Sequence, residues 1–481
     1  MTPTIILLCF LAYTSLLFVI TWLTSRKATN RSFFIGNKSS PWFVVAYGMI
    51  GASMSGVTFM SVPGWVGTAG FSYMMVVTGY VFGYLTIWNV LLPLYYRMNL
   101  TSIYSYLESR FGFWSYKTGA FYFLLSRTIG ASFRMFLVVN VLQIFIFDAW
   151  HIPFFVTVMI FIVLILLYTF KGGIKTIIWT DTIQTTFMLL ALFISIYLIV
   201  DNMGLSLGEM ITKVFSSSYS KMVFVDWHDK RFFLKELISG AFIAIVMTGL
   251  DQEMMQKNLS CRSLRDAQKN MFTFTGIMFV VNFVILFLGA SLYIFSAYKN
   301  IQIPLRTDEL FPVIAINHLG PVAGLVFLIG LISAAYPSAD GALTSLTTSF
   351  SIDFLGLDKR ADFSEKRKKS IRQYVHFAFA LILLMVIVLF RAINDRAVID
   401  KLFTIAGYTY GPLLGLYAFG LFTKFQVKDR WIPLVALLSP LICYFLSDYS
   451  VQLFNGYRFG FELLILNGFI TFAGLLLFRR K

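Results

Sequence analysis

The stretch Leu331-Ile-Ser-Ala-Ala-Tyr-Pro-Ser-Ala-Asp-Gly-Ala-Leu-Thr-Ser-Leu346 sets an acid, a proline and several hydroxyls inside an otherwise oily run. Its apolar surroundings make it part of a membrane helix, which places Asp340 in hydrocarbon. A carboxylate there is costly, and such residues mark ion or substrate paths. Pro337 breaks the helix hydrogen-bond ladder beside Ser338, Asp340 and Thr344. That mixture offers oxygen ligands to a small hard cation and points to a transporter driven by an ion gradient.

The rest of the chain agrees with a membrane reading. It has 481 residues, 58% hydrophobic and 13% charged, with 52 phenylalanines. Apolar runs of about twenty residues, each enough to cross a bilayer, recur along its length. A soluble globular class is excluded, and no polar stretch is long enough for a separate domain. The expectation is one integral membrane domain over 1–481, with its core over 42–423.

The formal net charge of +16 raises a nucleic-acid reading. Basic residues of membrane proteins collect in cytoplasmic loops, which explains the charge without nucleic acid. The run Lys366-Arg-Lys-Lys369 then faces anionic lipid. Cys9, Cys261 and Cys443 form no CxxC pair, and the four histidines stand singly, so neither a disulfide framework nor a histidine-cysteine metal site is expected. The first apolar run has no basic residue before it, and Arg26, Lys27 and Arg31 follow it, as suits a membrane helix rather than a signal peptide.

Thirteen spans are expected, at 5–24, 42–62, 70–95, 118–147, 152–170, 177–200, 235–252, 271–297, 311–350, 374–392, 402–423, 431–449 and 459–478. The ninth is too long for one crossing and reads as an interfacial helix, a turn at Gly320-Pro321, and the true span. Segments that follow odd-numbered spans hold 26 Lys and Arg, and the opposite ends hold 11. The richer side is expected to be cytoplasmic, which puts the N-terminus outside and the C-terminus inside the cell membrane.

Two spans look broken. The second holds Gly48, Gly51, Gly56, Pro63 and Gly64 among Ser53, Ser55 and Thr58, and the seventh holds Gly240, Thr248, Gly249 and Asp251. Lipid cannot satisfy backbone groups freed at such breaks, so they belong beside a polar cavity. Matching broken helices in two halves point to a transporter's inverted repeats. Spans 2–6 and 7–11 form those halves, with one extra helix before them and two after. The polar, basic segment Asp251 to Lys269 follows the second break and carries no phosphate-loop pattern.

Five segments resemble the sodium:solute symporter family in order and spacing. They are Gly51-Ala-Ser-Met-Ser-Gly with Val62-Pro-Gly-Trp65, Gly172-Gly-Ile-Lys with Trp179-Thr-Asp-Thr-Ile-Gln184, Gly249-Leu-Asp-Gln-Glu-Met-Met-Gln256, Ser338-Ala-Asp-Gly-Ala-Leu343 and Ala406-Gly-Tyr-Thr-Tyr-Gly-Pro-Leu-Leu-Gly415. The resemblance implies an all-α polytopic fold of the LeuT type, with a 5+5 inverted repeat.

It also implies a sodium site between the first and eighth core helices. Carried onto this chain, the ligands are the backbone carbonyls of Gly51 and Met54, the carbonyl of Ala334 and the hydroxyl of Ser338. The chain departs from the family at Pro337, where a second hydroxyl is expected. Proline frees the Ser333 carbonyl, which is either a substitute oxygen or part of a simple kink. Positions similar to Asp181 and Asp340 contribute to a second cation site in some relatives. Here the pair would bind a second sodium or carry a proton, unless Asp181 is tied up in an ion pair or a helix cap.

Arg127 and Arg134 lie one heptad apart on span 4 and must face the bundle interior or a polar cavity. Arg134 is nearer the middle and is either an anchor for a substrate carboxylate or a structural partner of Asp181. Ser53, Ser55 and Thr58 offer hydroxyls to a substrate at the first break, and Phe59 offers a ring to stack on one. Tyr408 and Tyr410, between Gly407, Gly411 and Pro412, sit on a segment that resembles the family's outer gating helix.

No Walker motif or catalytic constellation is present, so the chain is not expected to be an enzyme. The expected function is sodium-coupled symport of a small organic solute, anionic if Arg134 is the anchor, with no obligatory protein partner. Proton-coupled symport, or a solute sensor without transport, are the alternatives. Only Arg479-Arg-Lys481 follows the last span, which leaves no room for a signalling domain in this sequence.

Overall fold

Hydrocarbon offers backbone N–H and C=O groups no partner, so long apolar runs close their hydrogen bonds internally as helices. The computed structural model describes residues 3–25, 33–34, 36–393 and 398–480. Arg26, Lys27, Arg31 and Lys481 lie outside the described residues.

The helices are α1 (Pro3–Ser25), α2 (Trp42–Ser53), α3 (Gly56–Ala69), α4 (Tyr73–Arg97), α5 (Phe113–Trp150), α6 (Phe154–Phe170), α7 (Gly173–Asn202), α8 (Phe233–Gly249), α9 (Gln252–Leu259), α10 (Leu264–Tyr298), α11 (Pro321–Phe354), α12 (Glu365–Ala392), α13 (Val398–Phe422), α14 (Asp429–Asp448) and α15 (Leu463–Leu477). Among the described residues, eight helices are long and apolar enough to cross a membrane, or ten if α2/α3 and α8/α9 each count as one span. Helices α6 and α15 are shorter and apolar. The architecture is all-helical and membrane-spanning.

Both expected breaks are present. Helices α2 and α3 meet at 55° and α8 and α9 at 64°. At the first break Ser55 is far from helical (φ −9, ψ 168), and at the second Asp251 is extended (φ −103, ψ 123). A widened π turn, Ile245–Gly249, leads into the second break. Such turns gather at functional sites. The expected turn at Gly320 is also present: the short helix Leu310–Asn317 ends at His318, and Gly320, with a φ of 87, turns the chain so that α11 begins at Pro321.

One segment behaves differently from its polar composition. Gln252–Leu259 opens the polar, basic segment Asp251 to Lys269, yet α9 is a helix with all eight residues buried. Its charges are tolerated there because each is paired with a charge on another helix, as described below.

Helices α6 and α7 together pack along α11 at the centre, and α1 lies against this group. Thr14 of α1 meets the Tyr336 hydroxyl at 3.0 Å, and Ser333 donates to the Tyr13 hydroxyl at 2.8 Å. Helix α11 runs without a break across Pro337.

Candidate transport site

The two breaks face one cavity of about 70 Å³. Ala52 to Ser55, Val57 and Thr58 line it from α2/α3, Ile243, Ala244, Met247 and Thr248 from α8, and Arg127 and Arg134 from α5. Of the residues expected to bind substrate, Ser53, Ser55, Thr58 and Arg134 therefore come together. Phe59 does not join them. It is buried behind α3 against Phe311 and Phe327, at ring distances of 5.3 and 6.1 Å.

Arg134 is 9% exposed and its Nε has no partner. Among the described residues no carboxylate lies within ion-pair distance of it. Asp181 belongs to Lys257 instead, with Nζ to Oδ2 at 2.6 Å. A guanidinium in a cavity wall without a counter-charge is set to bind an anion, and its planar fork suits a carboxylate.

Cavity residues that sequence reasoning passed over include Tyr80, Tyr84, Asn282 and Phe403. Asn282 interrupts an apolar span, and a polar group at that depth was a legible signal. Its amide nitrogen donates to the Met278 carbonyl at 2.8 Å, and its Oδ1 is left unpartnered. The aromatic residues were lost among the chain's many rings.

A vestibule of about 880 Å³ opens on one side of this cavity. Phe403 lines both spaces. It packs 4.9 Å from Phe461 and 6.4 Å from Tyr73, and Trp65 sits 6.0 Å from Tyr73 and 6.3 Å from Phe461. Four rings thus plug the way from vestibule to cavity. Asp226, Asp229, Lys230, Arg231, Glu236 and Arg458 ring the vestibule wall. The Arg231 guanidinium, 2.6 Å from Asp229, holds that carboxyl below the usual carboxylate range.

The opposite side of the cavity is closed by charges. Arg127 bridges Asp251, at 3.5 Å, and Glu253. Tyr410 donates to Asp251 Oδ2 at 2.9 Å, and Lys257 reaches Glu253 Oε1 at 3.5 Å. Asp251 also caps α9, accepting from the Glu253 and Met254 amides at 3.0 and 3.2 Å. Tyr410 is thus beneath the cavity, whereas Tyr408 faces α14, its ring 6.3 Å from Tyr444.

The residues expected to hold sodium sit around the first break. Carbonyls in the last turn of α2 have no following turn to bond. Gly51 is pinned to α7 by its amide, which donates to Thr185 Oγ1 at 3.0 Å, and a Cβ there would collide with that hydroxyl. On α11, Leu331, Ala334 and Ser338 share one stripe by their spacing. Leu331 lies 3.9 Å from where a Cβ on Gly56 would stand, so the stripe faces the break. Ser338 is 1% exposed and its hydroxyl has no partner. Asp340 accepts from the Tyr168 hydroxyl at 2.8 Å, and its other oxygen is buried and unpartnered.

Known proteins share this fold. The chain is 22% identical to a sodium/sialic acid symporter of Proteus mirabilis, over 85% of this chain and 83% of that one. It is 24% identical to a sodium-coupled monocarboxylate transporter of Mus musculus, over 83% of this chain and 65% of that longer relative. A solved Na+-coupled sialic acid symporter, in a substrate-bound outward-open state, superposes with a TM-score of 0.84 at 18% identity and covers 99% of both chains. Residues 33–430 match the sodium:solute symporter family, and the chain, a multi-pass membrane transporter and not an enzyme, belongs to it.

Proposed function

We infer that the chain carries a small organic anion into the cell together with sodium, and that Arg134 holds the anion's carboxylate. The observation behind this reading is the buried Arg134 guanidinium, which lines the cavity without a carboxylate partner. Ser53, Ser55 and Thr58 supply hydroxyls for the rest of the solute. Relatives named for sialic acid and monocarboxylates are consistent with an acidic solute.

Sodium is held between the carbonyls of Gly51 and Met54 on one side and the Ala334 carbonyl and Ser338 hydroxyl on the other. An ion held there ties α2/α3 to α11 and favours the state in which the hydroxyls are placed for solute. Solute then completes the four-ring plug, and release follows parting of the Arg127, Asp251, Glu253 and Tyr410 contacts. The driving force is the sodium gradient, to which each net charge moved inward adds about 2.3 kcal/mol per 100 mV. Thirteen spans, spans 2–6 and 7–11 as inverted repeats, the vestibule and N-terminus outside, and the basic ends inside complete the reading.

Thermal stability of the purified protein tests it. With N-acetylneuraminate and short monocarboxylates as probes, stabilisation by one of them only in the presence of sodium is expected. No stabilisation by any organic anion, with or without sodium, would overturn the reading. The buried, unpartnered oxygen of Asp340 favours a second reading, coupling to protons. Solute binding that is indifferent to sodium but strengthened by acid would select it.

A further inference from the structure

Lys257 is 1% exposed, yet it carries a formal charge in the middle of the protein. Its ammonium lies 2.6 Å from Asp181 Oδ2 on α7 and 3.5 Å from Glu253 Oε1, one turn earlier on α9. Asp340 is within electrostatic reach of both Lys257 and Asp181. Asp181 is fully buried, as is Asp340, whose Oδ1 has no partner. Two carboxyls thus contact one buried ammonium, and a third lies within its electrostatic reach.

The surroundings are shaped for this arrangement. Glu253 approaches α11 at Gly341, where any side chain would collide with its carboxylate. Glu253 is in turn bridged by Arg127. An ammonium is a compact point charge with three donors, close to what a bound alkali cation supplies to carboxylate oxygens.

We propose that the Lys257 ammonium is a built-in counter-cation that takes the place of a second sodium at Asp181 and Asp340. The chain then couples transport to the single sodium at the helix break. A singly charged anion carried with one sodium moves no net charge, so the cycle is indifferent to membrane potential. A second sodium would add about 2.3 kcal/mol per 100 mV to the drive. This inference rests on the symport reading, but it predicts a sodium count rather than a solute.

The test is equilibrium binding of radiolabelled sodium to the purified full-length protein, without solute. Wild type is expected to bind one sodium per chain. Lys257→Ala is expected to bind one more, because it exposes the carboxyls to an outside cation. Lys257→Arg is expected to keep the wild-type count. Adding Ser338→Ala weakens the break-site sodium in either background and identifies which ion was gained. Equal counts in wild type and Lys257→Ala, with the variant folded by circular dichroism and gel filtration, would overturn the proposal. If Lys257→Ala does not fold, the wild-type count decides: more than one sodium overturns the proposal and a single one supports it. A wild type that binds none while Lys257→Ala binds one would leave Lys257 in this role and overturn the break-site assignment instead.

Discussion

The Tyr410 hydroxyl donates to Asp251 Oδ2 across 2.9 Å and so ties α13 to the extended turn between α8 and α9. The same oxygen lies 3.5 Å from the Arg127 guanidinium. One carboxylate therefore gathers three elements beneath the cavity. Replacing Tyr410 with Phe removes the bond but keeps the ring. The lower side of the cavity is expected to open more often. Alkylation of the native, buried Cys261, with Cys9 and Cys443 changed to Ser, reads this directly. Faster modification in Tyr410→Phe is the expected outcome, and an unchanged rate would remove Tyr410 from the closure.

Arg134 is the second point of attack. Truncating one partner of a buried, hydrogen-bonded charge pair costs about 2–5 kcal/mol. Arg134→Ala is expected to weaken an anionic solute by that amount in calorimetric or thermal-shift titrations. Arg134→Lys should recover only part, because an ammonium cannot make the bidentate contact. Sodium binding without solute should change little, which separates loss of the anchor from loss of the fold.

Ser338 offers a hydroxyl with no other partner. Hydrogen bonds to charged groups are worth about 1.5–3 kcal/mol, and a hydroxyl ligand to sodium is of similar order. Ser338→Ala should raise the sodium concentration needed for half-maximal stabilisation roughly tenfold or more, since about 1.4 kcal/mol is a factor of ten. The melting temperature without sodium should hold, because no protein hydrogen bond is lost. An unchanged sodium titration would reject the site at the first break.

Gly341 tests the buried ion cluster by shape alone. In an ordinary exposed helix, Ala in place of Gly stabilises by about 1 kcal/mol. Here the new methyl group meets the Glu253 carboxylate. Overpacking of this kind costs about 1–3 kcal/mol and displaces a charge from its partners as well. Gly341→Ala is expected to lower the melting temperature in detergent, and a rise would show that Glu253 has room to move.

Composition and hydrophobic patterning were enough to read the membrane class, and glycine and proline content marked both broken helices. Lipid leaves so few ways to satisfy a backbone that these features can be read one segment at a time. Ser53, Ser55, Thr58 and Arg134 were legible as cavity residues for a related reason, since polar groups in an oily span must face something polar. Phe59 and Tyr408 were harder. Which side of a helix an apolar ring takes depends on neighbours that the local pattern does not name.

The sequence by itself determined the family, the helical membrane architecture and the positions where the backbone comes apart. It left open whether Asp181 would meet sodium, Arg134 or some other cation. Only the tertiary structure decided for Lys257, which lies 76 positions away in a polar, basic stretch. Buried charges are tolerated through partners brought close in space, and distance along the chain says nothing about which partners those are.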